Sequence, residues 1–195
     1  MTTADSAHPK ALVVVESMFG NTAEVGEAVA RGLQLEGVHA EVLSVQDAPS
    51  RLPDDLDLLL VGAPTHAFAL SRPNTRADAV RQGAPEDRQR IGLREWLAGC
   101  HPGDRPPPVA VFDTRVSKVR RLPLAAGPSA RRLARAKGFK VLDRPAAFLV
   151  DDVSGPLVDG ELERATAWGR RVVGWCRDDL FQRSPAAHDD SRKRG

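Results

Sequence analysis

Apolar residues gather along this chain in short unbroken runs, separated by stretches where they recur every three or four positions. Residues 11–15 form the first run, bounded by polar residues, which predicts a strand covered on both faces. Val25, Val29, Gly32 and Leu33 then recur at helical spacing, and Gly37 supplies a stop. Residues 40–45 read as a second, partly alternating strand, and residues 58–62 as a third buried on both faces. The polar stretch 63–90 holds Pro64, Pro73 and Pro85 and is too long for a simple connection, as functional loops often are. A helix is predicted over 86–97, ended by Gly99, and a fourth strand over 109–112. An irregular segment (113–128) leads to a helix over 129–137 with Gly138 as its C-terminal glycine. Strand five is expected in two pieces, 139–142 and 146–150, broken at Asp143-Arg144-Pro145. Leu162, Ala165, Gly169, Val172, Val173 and Cys176 mark a last amphipathic helix, with Asp159, Glu161 and Glu163 favourable at its positive end.

Strands that alternate with helices imply an α/β protein with a parallel, doubly wound sheet, because parallel neighbours need crossover connections. Ligands in such sheets bind outside the carboxyl ends of the strands, where the strand order reverses. The unusual loops follow strands one, three and four, which predicts one composite site. At 195 residues, 42% hydrophobic and 28% charged, the chain suits one domain, read as residues 10–180. Residues 1–9 and the charged stretch 181–195 are expected to be disordered. No apolar run approaches the roughly 18 residues of a membrane span, and the opening Met-Thr-Thr-Ala-Asp-Ser lacks a leader pattern. Cys100 and Cys176 lie far apart and form no ligand cluster, so the expectation is a cytoplasmic chain with idle thiols. A net charge of +2 is too small to demand a nucleic-acid partner.

Candidate chemistry begins at Ser17-Met18-Phe19-Gly20-Asn21-Thr22, between strand one and its helix. A helix N-terminus offers unpaired N–H groups and partial positive charge to an anion. Gly20 lets the backbone curl around an oxyanion, and Ser17 and Thr22 can each donate a hydroxyl proton. There is no Gly-Lys-Ser/Thr for a triphosphate and no GxGxxG for a dinucleotide. What remains suits a phosphate monoester held by neutral donors, or a plain helix cap.

The segment resembles the phosphate loop of the flavodoxin family, Ser/Thr-x-Thr-Gly-x-Thr, with Phe19 in place of the middle threonine. The flavodoxin-like NAD(P)H:quinone oxidoreductases are similar in carrying an aromatic residue there. Val61-Gly62-Ala63-Pro64-Thr65-His66-Ala67-Phe68 resembles that branch's Gly-x-Pro-Thr-x-Phe segment, with one residue inserted before Phe68. The resemblance implies a single-domain flavodoxin-like fold with strand order 2-1-3-4-5, and FMN as cofactor. It implies Ser17, Asn21 and Thr22 as phosphate donors, with Met18, Phe19 and Gly20 completing the loop. Pro64, Thr65, His66 and Phe68 would flank the flavin ring, and Asp113, Thr114 and Arg115 would face its pyrimidine end. The chain has no tyrosine, so Phe68 or His66 must replace the ring-stacking tyrosine of many shuttle flavodoxins. The implied function is FMN-binding redox chemistry, as an electron carrier or a flavin-dependent reductase. The alternative is a flavodoxin-like binding or regulatory module without flavin. Arg115, Lys118, Arg120 and Arg121 suggest an acidic redox partner protein or NAD(P)H.

Overall fold

A computed structural model describes residues 8–119 and 125–183. Five strands, β1 (Lys10–Val15), β2 (His39–Ser44), β3 (Leu58–Pro64), β4 (Val109–Val116) and β5 (Ala146–Val150), form one sheet. Their order is β2-β1-β3-β4-β5 and every pairing is parallel. Side chains of a strand alternate between faces, and that alternation divides the core in two. Val13, Val15, Leu58, Leu60, Phe112 and Phe148 pack beneath α1 (Asn21–Leu35) and α5 (Glu161–Arg183). Leu12, Val14, Leu59, Val61, Val109 and Val111 pack beneath α3 (Leu93–Gly99) and α4 (Ala126–Ala136). Both faces are covered, which is why the strands read as continuous apolar runs.

Two close approaches depend on glycine. A Cβ on Gly62 would lie 2.2 Å from the Phe112 ring, and one on Gly32 would lie 2.1 Å from the Thr166 carbonyl of α5. The space over Gly62 is filled by Phe112, which meets Phe148 and Trp168 edge to face.

The structure departs from the expected elements in several places. Strand β4 runs on to Val116, so Asp113, Thr114 and Arg115 are strand residues rather than loop. Strand β5 is residues 146–150 only, and Val141 makes a single bridge to Val109. Helix α2 (Pro73–Arg81) lies within the stretch read as polar loop. It is anchored by the buried Arg76, whose Nε donates to Gln89 O at 3.0 Å and whose Nη1 donates to Ser71 Oγ at 2.9 Å. A polar anchor leaves no apolar period to read. The helix expected over 86–97 is a 3₁₀ turn (Glu86–Gln89) followed by α3. Gly92 interrupts it with an extended backbone (φ -113°, ψ 172°), and only glycine fits there, because a Cβ would lie 2.5 Å from Arg76 Nη1 and 2.6 Å from Ser71 Oγ. Helix α4 begins at Ala126, three residues before the expected start at 129, because Thr65 and Asp113 accept its first N–H groups. Helix α5 continues to Arg183, inside the tail expected from 181, and at the other end Pro9 is buried and its carbonyl accepts from His39 N–H at 2.8 Å; residues 1–7 and 184–195 lie outside the described residues.

Candidate functional site

After Val15 the chain turns through residues 16–20 into α1. Gly20 takes φ 103°, a left-handed conformation that disfavours side chains, and stands directly before Asn21. The N–H groups of Phe19, Gly20, Asn21 and Thr22 meet no acceptor among the described residues. The next N–H, of Ala23, donates to Ser17 Oγ at 3.2 Å. Since that oxygen acts as acceptor, the Ser17 hydroxyl proton is left to donate elsewhere. Thr22 Oγ1 and Thr114 Oγ1 lie 2.8 Å apart, both buried. One donates to the other, and the pair keeps one proton in reserve. Arg88 Nη1 donates to the carbonyls of Ser17 at 3.3 Å and Met18 at 3.2 Å. Those carbonyls are thereby satisfied by a guanidinium that does not line the cleft described next. The loop's unspent polarity is a set of donors.

The loop forms one wall of a cleft of about 170 Å³. Ser17, Met18, Phe19, Asn21 and Thr22 line it from the first loop, and Pro64, Thr65, His66 and Ala67 from the second. Thr114, Arg115 and Val116 enter from the end of β4, Val150 from the end of β5 and Val153 from the turn beyond it. Thr65 is committed structurally: its N–H donates to Thr114 O at 2.8 Å, and its Oγ1 accepts from Ala126 N–H at 3.1 Å. His66 and Ala69 exchange both backbone bonds, at 2.9 and 3.0 Å, around a two-residue turn. The central residues, Ala67 (φ 45°) and Phe68 (φ 64°), occupy the left-handed region usually given to Asn and Gly. Such strain costs roughly 1 kcal/mol or more per residue and concentrates at functional sites. Here it presents the Phe68 ring, which is 47% exposed.

Electrostatics revise one expectation. Arg115 is no open cation: its Nε and Nη2 form a fork onto Asp113 at 2.7 and 2.6 Å, and Asp113 Oδ2 also accepts from Gly127 N–H at 2.9 Å. Residues two apart on a strand share a face, so the extension of β4 is what pairs them. Burial pushes the His66 imidazole below its ordinary 6.5, a hydrogen bond to the Thr75 backbone opposes that, and Arg76 adds to it. His66 is therefore a neutral ring at pH 7.

Of the residues singled out from sequence, Ser17, Met18, Phe19, Asn21, Thr22, Pro64, Thr65, His66, Thr114 and Arg115 share the cleft. Gly20 shapes the loop without lining it, Asp113 is fully buried, and Phe68 follows the cleft-lining Ala67 at the exposed tip of its turn. Sequence reading missed the fourth wall. Asn21 Nδ2 donates to Ser154 O at 3.1 Å, and a Cβ on Gly155 (φ 101°) would lie 2.4 Å from Asn21 Oδ1. Gly155-Pro156 is a turn signal in the sequence, but nothing in it points to Asn21. Arg120 and Arg121 lie outside the described residues.

No family model matches the sequence. Solved structures do match the fold. A flavodoxin from the domain Archaea superposes with TM-score 0.57 at 18% identity, over 86% of this chain and 99% of that one. The fold is flavodoxin-like. Oxidised flavodoxin 1 from Bacillus cereus matches with TM-score 0.58 at 18% identity, covering 85% of this chain and 97% of its own. The flavodiiron protein from Giardia intestinalis matches with TM-score 0.59 at 16% identity, over 92% of this chain and 39% of its own. The five-stranded order and the helices on both faces are those of the flavodoxin-like class.

Proposed function

We propose that this chain binds FMN and works in electron transfer, as a carrier or as a flavin-dependent reductase in the cytoplasm. The observation that carries the reading is the donor set at the start of α1. Four backbone N–H groups lack acceptors, and Ser17 and the Thr22–Thr114 pair hold hydroxyl protons beside them. Such a set fits a phosphate monoester better than any cation. Ser17, Thr22 and the N–H groups of residues 19–22 would hold the phosphate, while Asn21 keeps the loop fastened to Ser154. A cleft of about 170 Å³ is smaller than the pocket of a fully enclosed cofactor. The apolar ring would therefore rest partly in the open, against His66 and the exposed Phe68 and Val153. Bound flavin supplies the electron-accepting chemistry; the protein supplies binding, orientation and electrostatics. With Arg115 paired to Asp113, charge stabilisation at the pyrimidine end falls to backbone donors and to the net-neutral pair. An acidic redox protein or NAD(P)H as partner is part of the same proposal, with the exposed Lys118 its nearest described support.

Loss of two hydroxyl donors tests the assignment. Hydrogen bonds to charged groups contribute about 1.5–3 kcal/mol each. Ser17→Ala/Thr22→Val should weaken FMN binding, read by quenching of flavin fluorescence, by roughly tenfold or more. Cys100→Ala, at a thiol pushed up to about 11 by burial, should leave it unchanged. Equal affinity in the double variant would show that these hydroxyls are not ligands. Uptake of no flavin by the wild-type chain would favour a module without cofactor.

A further inference from the structure

Three arginines on α4 and a fourth from the turn before β5 converge on one shallow groove of about 440 Å³. Arg131, Arg132, Arg135 and Arg144 line it, and the rings of Pro128 and Pro145 complete the lining. None of these four guanidinium groups has a carboxylate within ion-pair distance among the described residues. Arg76, Arg81, Arg115, Arg164, Arg170 and Arg177 are each paired with a carboxylate; other arginines such as Arg31, Arg90 and Arg171 are not, so what sets these four apart is that they share one groove.

Arg131 Nε is shielded from solvent and has no acceptor, and it is the one side-chain donor so placed among the described residues. A buried donor without a partner is destabilising, and more so when it is charged. Arg131 and Arg135 are four apart, so their like charges oppose the helix. Placement near the C-terminal end of α4 favours Arg135 through the helix dipole. That accounts for one of the four.

We propose that this groove is a second anion site, taking a compact phosphate-type oxyanion of the diphosphate class. An arginine fork matches a phosphate oxygen pair in plane, and a diphosphate brings enough negative charge to engage several guanidinium groups at once. The ligand would engage the guanidinium groups that line the groove. No aromatic ring lines the groove, so a nucleic-acid strand would find nothing to stack on. The groove shares no residue with the cleft at the start of α1, so the proposal stands apart from flavin binding.

The test is a titration of the full ¹⁵N-labelled chain with sodium pyrophosphate, with ionic strength held constant by sodium chloride. Saturable amide shifts are expected over residues 129–135 and at Arg144. In Arg131→Gln/Arg144→Gln the affinity should fall at least tenfold while the melting temperature holds, and Arg31→Gln, at an exposed position on α1, should bind as wild type. Shifts confined to residues 17–22 would place the anion at the other site and overturn the proposal. Equal shifts from citrate, or an unaltered affinity in the double variant, would reduce the groove to general surface charge and overturn it too.

Discussion

Glu16, the residue just before the donor loop, is 1% exposed, yet only half of its carboxylate is satisfied. Oε2 accepts from Leu93 N–H at 2.7 Å, and Oε1 has no partner. Burial pushes this carboxyl above its ordinary 4.5, and hydrogen bonds from Ser71 and Leu93 and the charge of Arg76 only partly oppose that. A raised acid favours the fold in its protonated form. Its contribution is complete below the unfolded value of 4.5 and is lost as pH rises through the higher folded value. Glu16→Gln keeps an oxygen for Leu93 N–H and removes the ionisation. The variant should melt at the same temperature as wild type in acid and above it at mildly alkaline pH. Thermal melts across that range decide the matter, and a variant less stable at every pH would contradict it. The place of Ser17 and Thr22 at the turn from β1 into α1, beside Gly20, was legible in the sequence. The partner of Thr22 was not, since Thr114 lies 92 positions away and only the fold joins them. Arg115 was misread as an open cation because the irregular reading of residues 113–128 hid the shared strand face with Asp113.

Helices α1 and α5 meet backbone to backbone. A Cβ on Gly169 would lie 2.3 Å from the Val29 carbonyl, a rigid neighbour that cannot swing aside. Gly174, farther along α5, has nothing within 4 Å of the same added atom. Gly169→Ala should therefore destabilise by about 1–3 kcal/mol or more through overpacking. Gly174→Ala should be neutral or stabilising by up to about 1 kcal/mol, from helix propensity alone. Denaturant unfolding of the two variants measures both, and similar midpoints would contradict the close packing of α1 on α5. The strands were legible because burial on both faces leaves unbroken apolar runs such as Ala11–Val15. Helix α2 was not, since Arg76 rather than an apolar stripe holds it down. The break between the 3₁₀ turn and α3 was hidden too, because the neighbours that make Gly92 necessary, Arg76 and Ser71, are distant from it in sequence.

At the scale of the molecule, β1 and β3 are neighbours while their outward partners, β2 and β4, lie on opposite sides. Loops leaving such a reversal diverge and open a crevice between them, and the donor loop after β1 and the turn after β3 stand on its two sides. The sheet order and this placement were legible from the alternation of strand and helix together with the resemblance of two loops. The contribution from the end of β5 and the turn beyond it was not, because Val150, Val153 and Ser154 carry no chemical signature, and only the fold brings Asn21 to the Ser154 carbonyl. In the proposed function, a terminal phosphate held by unpaired donors at the start of α1 governs what the cleft takes up. Titrating the purified chain with FMN, riboflavin and FAD isolates that group, since riboflavin lacks the phosphate and FAD extends it. FMN should bind tightest, with riboflavin weaker by tenfold or more, as loss of a charge-assisted contact of about 1.5–3 kcal/mol requires. Riboflavin binding as tightly as FMN would contradict the account.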